Sequence, residues 1–411
     1  GRTTCRMNVK AIKSHIQGTV HLPPSKSQTM RALLFGAAAE GVSKVHNYLK
    51  SPDTEKMITC LESFGAQFIR DEKSLIIEGT GGRWRTPDDV LDVGNSGIML
   101  RFLTAIAANV DGFTVITGDE SIRKQRPMQP LLVSLRQMGV FAESTRGQGF
   151  APVLIKGPLI KEEVDVDGED SQPVSALMIA GALSKKSLHM RVANMGEIPW
   201  VMMTNNWLKK LGCEVNFDGN RILIQADKPL TPFEYEVPGD VSTALFLATL
   251  ALITKSEIGI DGLSLHDDQG DARFFQIVKE MGAHVEWEHN RLRVRGTGLC
   301  GVDVDINDCI DAIAPLAVTA CFAKGITHIR NAKNARFKEC DRIHVLASEL
   351  KKMGARIYEQ EDGLLIEGGS LQGNLVSSHH DHRMALAFIV AGLGSTGETV
   401  VEKCRCIEKT Y

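Results

Sequence analysis

One helical phrase recurs along this chain, and its spacing restricts the fold more than any other feature. It appears as CLESFGA at 60–66, SLRQMGV at 134–140, WLKKLGC at 207–213, IVKEMGA at 277–283 and ELKKMGA at 349–355. The glycines Gly65, Gly139, Gly212, Gly282 and Gly354 lie 74, 73, 70 and 72 positions apart. Each phrase reads as an amphipathic helix closed by a glycine at its C-terminal cap, where a left-handed backbone is needed. Short strands follow, as in LIIEG at 75–79, VLIKG at 153–157, ILIQ at 222–225, LRVRG at 292–296 and LLIEG at 364–368. Repetition at a fixed period means one supersecondary unit used several times.

A second phrase recurs six times, as small-residue, almost wholly apolar helices that must be buried on most sides. They are RALLFGAAA at 31–39, IMLRFLTAIAA at 98–108, PVSALMIAGAL at 173–183, VSTALFLATLAL at 241–252, DAIAPLAVTACF at 311–322 and RMALAFIVAGL at 383–393. Each opens on polar residues: Ser25-Lys26-Ser27, Gly94-Asn95-Ser96-Gly97, Asp170-Ser171-Gln172, Gly239-Asp240, Asn307-Asp308 and Asp381-His382. Any one of these is an ordinary N-cap. Six placed equivalently would aim free N–H groups and positive dipole ends at shared surfaces, which suits anions. Six units of about 70 residues therefore predict an α/β protein of two pseudo-threefold domains, three units each. The expected boundaries are 21–236 for one domain and 1–20 with 237–411 for the other, TPFEYEVP at 231–238 marking the divide. The terminal units look incomplete, so the N-terminal strand is expected to join the C-terminal domain.

With 47 Lys+Arg against 50 Asp+Glu the net charge is −3, so no global field draws nucleic acid or an anionic membrane. Uncharged stretches such as 241–254 are shorter than the roughly 18–20 residues a membrane span needs. Nine cysteines without a C-x-x-C pair suggest neither a disulfide framework nor a zinc ribbon, and point to a reducing, cytoplasmic setting. The opening GRTTCR lacks a secretory apolar core and reads as a processing remnant; an import segment removed beforehand would leave no trace.

Any attraction for anions must then be local. Ser25-Lys26-Ser27 precedes the first apolar helix, with Arg31 expected in its first turn, where positive charge opposes the helix dipole. No P-loop motif is present. The run NAKNARFKECDRI at 331–343 packs Lys333, Arg336, Lys338, Glu339, Asp341 and Arg342 before an amphipathic helix, and about half of these are expected to be solvated. HHDHRMA at 379–385 sets His382 and Arg383 at the mouth of a buried helix. H-H-x-H without acidic ligands at metal spacing gives no reason to assign a metal.

Together with QGDARF at 269–274 and Arg126-Pro127, these segments resemble the 5-enolpyruvylshikimate-3-phosphate synthase family over nearly the whole chain. The resemblance implies two inside-out α/β domains with buried helices and outer sheets, and an active site in the cleft between them. It implies transfer of the enolpyruvyl group of phosphoenolpyruvate to the 5-hydroxyl of 3-phosphoshikimate with release of phosphate, on the route to chorismate and aromatic amino acids. No cofactor or metal is implied, and no nucleic acid, membrane or partner chain; a monomer is expected. By the family motifs, Lys26 bridges both substrates. Gly97, Arg126, Gln172, Arg342, Arg383 and Lys409 hold phosphoenolpyruvate, for which arginine forks are suited. Ser27, Arg31, Ser171, Gln172, Asn334 and Lys338 hold 3-phosphoshikimate. Asp311 is the implied base on the 5-hydroxyl, kept ionised by cations around it. Glu339 is the implied acid toward the methylene carbon, and His382 a phosphate-side donor.

The chain departs from the family pattern in four places. Asp170 stands where a serine is usual, and Glu197 replaces a phosphate-binding serine, with Trp200 following where tyrosine is usual. Ile98 and Phe102 replace Thr and Pro beside Gly97, and the family usually continues beyond the Lys-Thr-aromatic ending at 409–411. Two carboxylates beside a phosphate would repel it unless they pair or turn away, and the expectation is that they pair with neighbouring bases or face solvent. The alternatives are the sister enolpyruvyl transferase acting on UDP-N-acetylglucosamine, whose cysteine loop has no counterpart near Arg126, and a non-catalytic paralogue that binds a phosphorylated ligand.

Overall fold

The computed structural model describes residues 7–264 and 270–409, with side chains outside the description at 405, 408 and 409. The chain forms two compact units, Pro24–Val237 and the residues before Pro24 joined to those from Pro238 onward. The divides fall after Pro23 and Val237, where the sequence reading placed them after residues 20 and 236. Each unit has its own apolar core.

The third repeat shows the building plan. Strand Glu163–Asp167 leads into helix Ser171–Leu183, and the chain returns as Ser187–Ala193, parallel to the first strand. Parallel neighbours require such a crossover. Helix Ile198–Lys210 follows, and then the hairpin Glu214–Asp218 and Arg221–Gln225 completes a four-stranded sheet antiparallel to the returning strand. The crossover helix is buried at every residue except Gln172, because Ala, Gly and Ser along it let neighbouring helices approach closely.

In the first repeat the parallel edge comes from the far end of the unit. Glu234–Glu236 pairs with Val42–His46, so the unit closes on itself. The other unit is completed from the N-terminal side: Gln17–His21 pairs parallel with Glu257–Asp261, and Val9–Ile12 antiparallel with Glu398–Glu402. The five phrase glycines all have φ between 82° and 110°, each just past the end of its helix. A side chain there would clash with the backbone, which is why the phrase keeps glycine.

Two local expectations are corrected. Ser25 alone caps the first inner helix, Lys26–Ala38, so Lys26 and Ser27 begin it and Arg31 lies in its second turn. The fifth inner helix starts late, at Ile313. Cys309 is non-helical (φ −149°, ψ 50°), so Asn307–Ala312 forms a separate 3-10 turn without a side-chain cap, and Asp311 sits in that turn. No helix among the described residues is long and apolar enough to cross a membrane.

Candidate active site

The polar groups of the unit Pro24–Val237 gather where its inner helices begin. Lys26 Nζ lies 2.6 Å from Oδ2 of Asp53, a buried residue in the first turn of helix Pro52–Ser63. Arg31, 3% exposed, donates to Ser27 Oγ at 2.6 Å and to Thr204 Oγ1 at 3.2 Å, and its guanidinium lies over the Phe102 ring. Hydroxyls and a ring face are its partners; no carboxylate among the described residues pairs with it. Burial pulls this guanidinium down to about 9, Tyr235 acting in the opposite sense, so it stays charged at neutral pH. A buried cation without a counter-charge is costly, and an anion would relieve it.

Around Gly97 the packing is tighter. Arg101, one turn along helix Gly97–Ala107, donates to Gln172 Oε1 at 2.8 Å, to the Pro127 carbonyl at 2.9 Å and to the Gly97 carbonyl at 3.3 Å. A Cβ at position 97 would lie 2.5 Å from Arg126 Nη2 and 2.7 Å from Arg101 Nη1, so a side chain there would have to push both guanidinium ends away from the helix start. Asp170 caps helix Ser171–Leu183 through the Gln172 N–H at 3.0 Å and lies 3.9 Å from Arg101. Glu197, buried and left-handed (φ 47°), accepts the Ser171 hydroxyl at 2.9 Å. The hydroxyl expected to meet a phosphate is therefore already engaged with one of the two unusual carboxylates.

In the other unit, Arg342 is 2% exposed and gathers three acids: Glu339 at 2.6 Å, Asp381 at 2.8 Å and Asp311 at 3.0 Å. Asp381, fully buried, also caps helix His382–Gly394 by accepting from the Arg383 N–H at 2.9 Å. One carboxylate thus joins the two sequence motifs that carry Arg342 and Arg383. Arg383 lies 3.8 Å from Asp311 and 3.7 Å from Asp271, between them. Burial by itself would raise the Asp311 carboxyl, but Arg383, Lys338 and Arg342 outweigh it and hold the group well below the usual carboxylate range. Asn334 is buried within the turn Lys333–Phe337, and His382 opens its helix. Arg336 instead pairs with Asp341 and Glu359 and is only partly exposed, whereas Lys333 takes the solvated fate expected for part of that run. The Lys409 side chain lies outside the described residues.

Arg101 and Asp53 were not among the residues singled out from sequence, and Asp381 entered there only as one of the polar helix openings. Arg101 had a signal, a lone charge inside an otherwise apolar helix. Asp53 and Asp381 had none, since Ser, Asp and Pro at a helix start read as capping and nothing more.

A sequence profile of the family described as EPSP synthase (3-phosphoshikimate 1-carboxyvinyltransferase) matches residues 10–411. The chain belongs to this family. It is 40% identical to the 3-phosphoshikimate 1-carboxyvinyltransferase of Acetivibrio thermocellus, over 98% of this chain and 96% of that one. It is 38% identical to that of Methanocaldococcus jannaschii, over 94% and 91%. The EPSP synthase structure from Acinetobacter baumannii superposes with a TM-score of 0.80 at 27% identity, covering 98% and 95% of the two chains. The α/β fold is that of EPSP synthases, and the activity is the carboxyvinyl transfer to 3-phosphoshikimate for which the family is named.

Proposed function

We propose that phosphoenolpyruvate is the carboxyvinyl donor and that the two groups of side chains described above act together on one pair of substrates. Lys26, Ser27 and Arg31 take 3-phosphoshikimate, with Asn334 and Lys338 contributing from the other unit. Gly97, Arg126, Gln172, Arg342, Arg383 and Lys409 take phosphoenolpyruvate, and Arg101 holds Gln172 and the Gly97 carbonyl in position. Asp311 removes the 5-hydroxyl proton as that oxygen attacks C2 of phosphoenolpyruvate, and Glu339 delivers a proton to the methylene carbon. Loss of phosphate with return of a proton from the methyl carbon restores the double bond.

The observation that carries this reading is the setting of Asp311, a largely buried carboxylate whose charge is sustained by Arg383, Lys338 and Arg342. A base held so low is weak. Two of those cations are the ones assigned to phosphoenolpyruvate, so a bound anion shares their charge and raises the basicity of Asp311 when substrate is present. Arg342 cannot accept a new anion while three acids fill its fork, so Glu339 or Asp311 must give way, which frees a carboxyl for proton transfer.

Ser171 remains assigned to 3-phosphoshikimate, and Glu197, buried rather than facing solvent, accepts its neutral hydroxyl. A chain of this family with no turnover would be a binding protein, and one using UDP-N-acetylglucosamine would be the sister enzyme. Phosphate release measured with phosphoenolpyruvate and each acceptor tests all three. Release that needs 3-phosphoshikimate is expected; release with the sugar nucleotide, or none with either, overturns the reading.

A further inference from the structure

Asp271 is a buried carboxyl for which the mechanism above has no use. It lies in the turn Gly270–Ala272 and is fully enclosed. Its Oδ2 accepts a long hydrogen bond from Ser242 Oγ, 3.3 Å, and its Oδ1 has no hydrogen-bond partner among the described residues. The cation that faces it is Arg383, with Nη1 3.7 Å from Oδ2. The same guanidinium turns Nη2 toward Asp311 at 3.8 Å. Charge-assisted hydrogen bonds are shorter, about 2.7–2.9 Å. Arg383 therefore compensates two carboxyls while bonding closely to neither, and its N–H groups are available to a ligand.

The groups facing Asp271 come from three elements. The start of helix Val241–Ile253 presents Ser242 and, at the cap, Asp240; the turn Asn307–Ala312 presents Asp311 and Cys309; helix His382–Gly394 presents Arg383. Burial keeps the Cys309 thiol protonated, so it contributes no charge at neutral pH. Arg273, on the same segment as Asp271, is turned to Asp308 at 2.6 Å. Among the described residues, then, Asp271 meets two acids, one hydroxyl, one thiol and a single shared cation. When an anionic substrate takes Arg383, that one compensating charge is drawn away, and an enclosed carboxylate cannot remain ionised without large cost.

We propose that Asp271 is a positioning residue that keeps Arg383 in place in the empty enzyme and takes up one proton from solvent when phosphoenolpyruvate engages Arg383. The proposal rests on the assignment of Arg383 to phosphoenolpyruvate. Burial first, then the Asp311 charge, raise the Asp271 carboxyl to about 7 against the opposing pull of Arg383, so the uptake falls near neutrality. Binding that consumes a proton weakens as pH rises, by up to about tenfold per pH unit. An amide at this position is neutral at every pH and removes that dependence.

The test is the KM for phosphoenolpyruvate from pH 7 to 9, with 3-phosphoshikimate saturating, for the wild-type enzyme, Asp271→Asn and Arg383→Gln. Titration calorimetry of phosphoenolpyruvate with the wild-type enzyme, in two buffers of different ionisation enthalpy, counts protons directly. A wild-type KM that climbs with pH, a flat profile in Asp271→Asn and an uptake that is partial at pH 7 and approaches one proton by pH 8.5 support the proposal. Parallel profiles in the two enzymes overturn it, as does absence of proton uptake by the wild type, which does not depend on how the variant folds. Arg383→Gln separates the premise from the proposal. An unchanged KM in that variant removes Arg383 from the phosphoenolpyruvate site and takes the proposal with it; a raised KM beside parallel Asp271→Asn profiles sinks the proposal alone.

Discussion

A methyl group on Gly97 would lie 2.5 Å from one guanidinium nitrogen and 2.7 Å from another. Both belong to buried arginines, Arg126 and Arg101, so Gly97→Ala must displace side chains that the proposed function puts at the phosphoenolpyruvate end of the reaction. Misplacement of about 1 Å in such a site costs on the order of 10²-fold. The KM for phosphoenolpyruvate should rise at least tenfold (roughly 1.4 kcal/mol), with the 3-phosphoshikimate KM little altered; steady-state kinetics with each substrate varied in turn decide it. Asp311→Asn keeps the shape and loses the proton acceptor. Turnover should drop by roughly 10²–10⁴ with small changes in both KM values, and wild-type turnover would remove Asp311 from the chemistry. Asp271 and Asp311 shift in opposite directions, so their effects on stability with pH differ in sign. Asp311, depressed, adds stability that is complete above the ordinary carboxylate range and disappears only in acid below it. Asp271, raised to about 7, keeps its proton in the folded chain while the unfolded chain has lost it, so stability falls as pH rises from the ordinary carboxylate range toward 7. Urea unfolding at pH 5 and 7.5 should show Asp271→Asn gaining on the wild type as pH rises, by up to about 1.4 kcal/mol per pH unit within that window; a constant difference would refute the raised value.

At the scale of single elements, Asp381 carries the most. It caps helix His382–Gly394 and is a buried partner of Arg342. Loss of a cap costs about 0.5–2 kcal/mol, and Arg342 also loses its most deeply enclosed partner while Glu339 and Asp311 still compensate its charge. Asp381→Ala should therefore destabilise by more than a cap alone, and Asp381→Asn, which can still accept from the helix N–H groups, by less than Asp381→Ala; denaturant midpoints of the two variants test the order. The elements themselves were legible. Strand Arg291–Arg295 and strand Gly363–Glu367 each begin one residue before the phrase read from sequence, because alternation and a glycine stop are local properties. The late start at Ile313 was not legible: Cys309 is non-helical and Asn307–Ala312 packs against the turn that holds Asp271, a contact between segments far apart in sequence. The site was legible wherever a motif kept its residues close in sequence, as Arg342 and Glu339 do. It was hidden where partners lie far apart, as Arg101 and Gln172 or Arg342 and Asp381 do, because spacing in sequence says nothing about which helix starts meet.

For the whole molecule, the return of strand Glu234–Glu236 to Val42–His46 makes Pro24–Val237 complete in its own residues. Expressed alone, this segment should unfold cooperatively in urea. The counterpart 238–411 lacks Val9–Ile12 and Gln17–His21, leaving Glu257–Asp261 and Glu398–Glu402 each with an open edge. It should aggregate or unfold at lower denaturant unless a peptide of residues 7–23 is supplied, and equal behaviour of both segments would contradict the division of strands described. The same pairing sets an order on synthesis. Residues 9–21 are translated before either partner, one of which is not made until residue 257 and the other until residue 398. At about 5–20 residues per second, these two strands wait on the order of tens of seconds beside a growing chain while the segment 24–237 can already fold. A newborn chain thus carries two unmatched strands while residues 22–256 are added, and one of them until residue 398, a period in which a chaperone that shields extended segments near the ribosome would have its chief task.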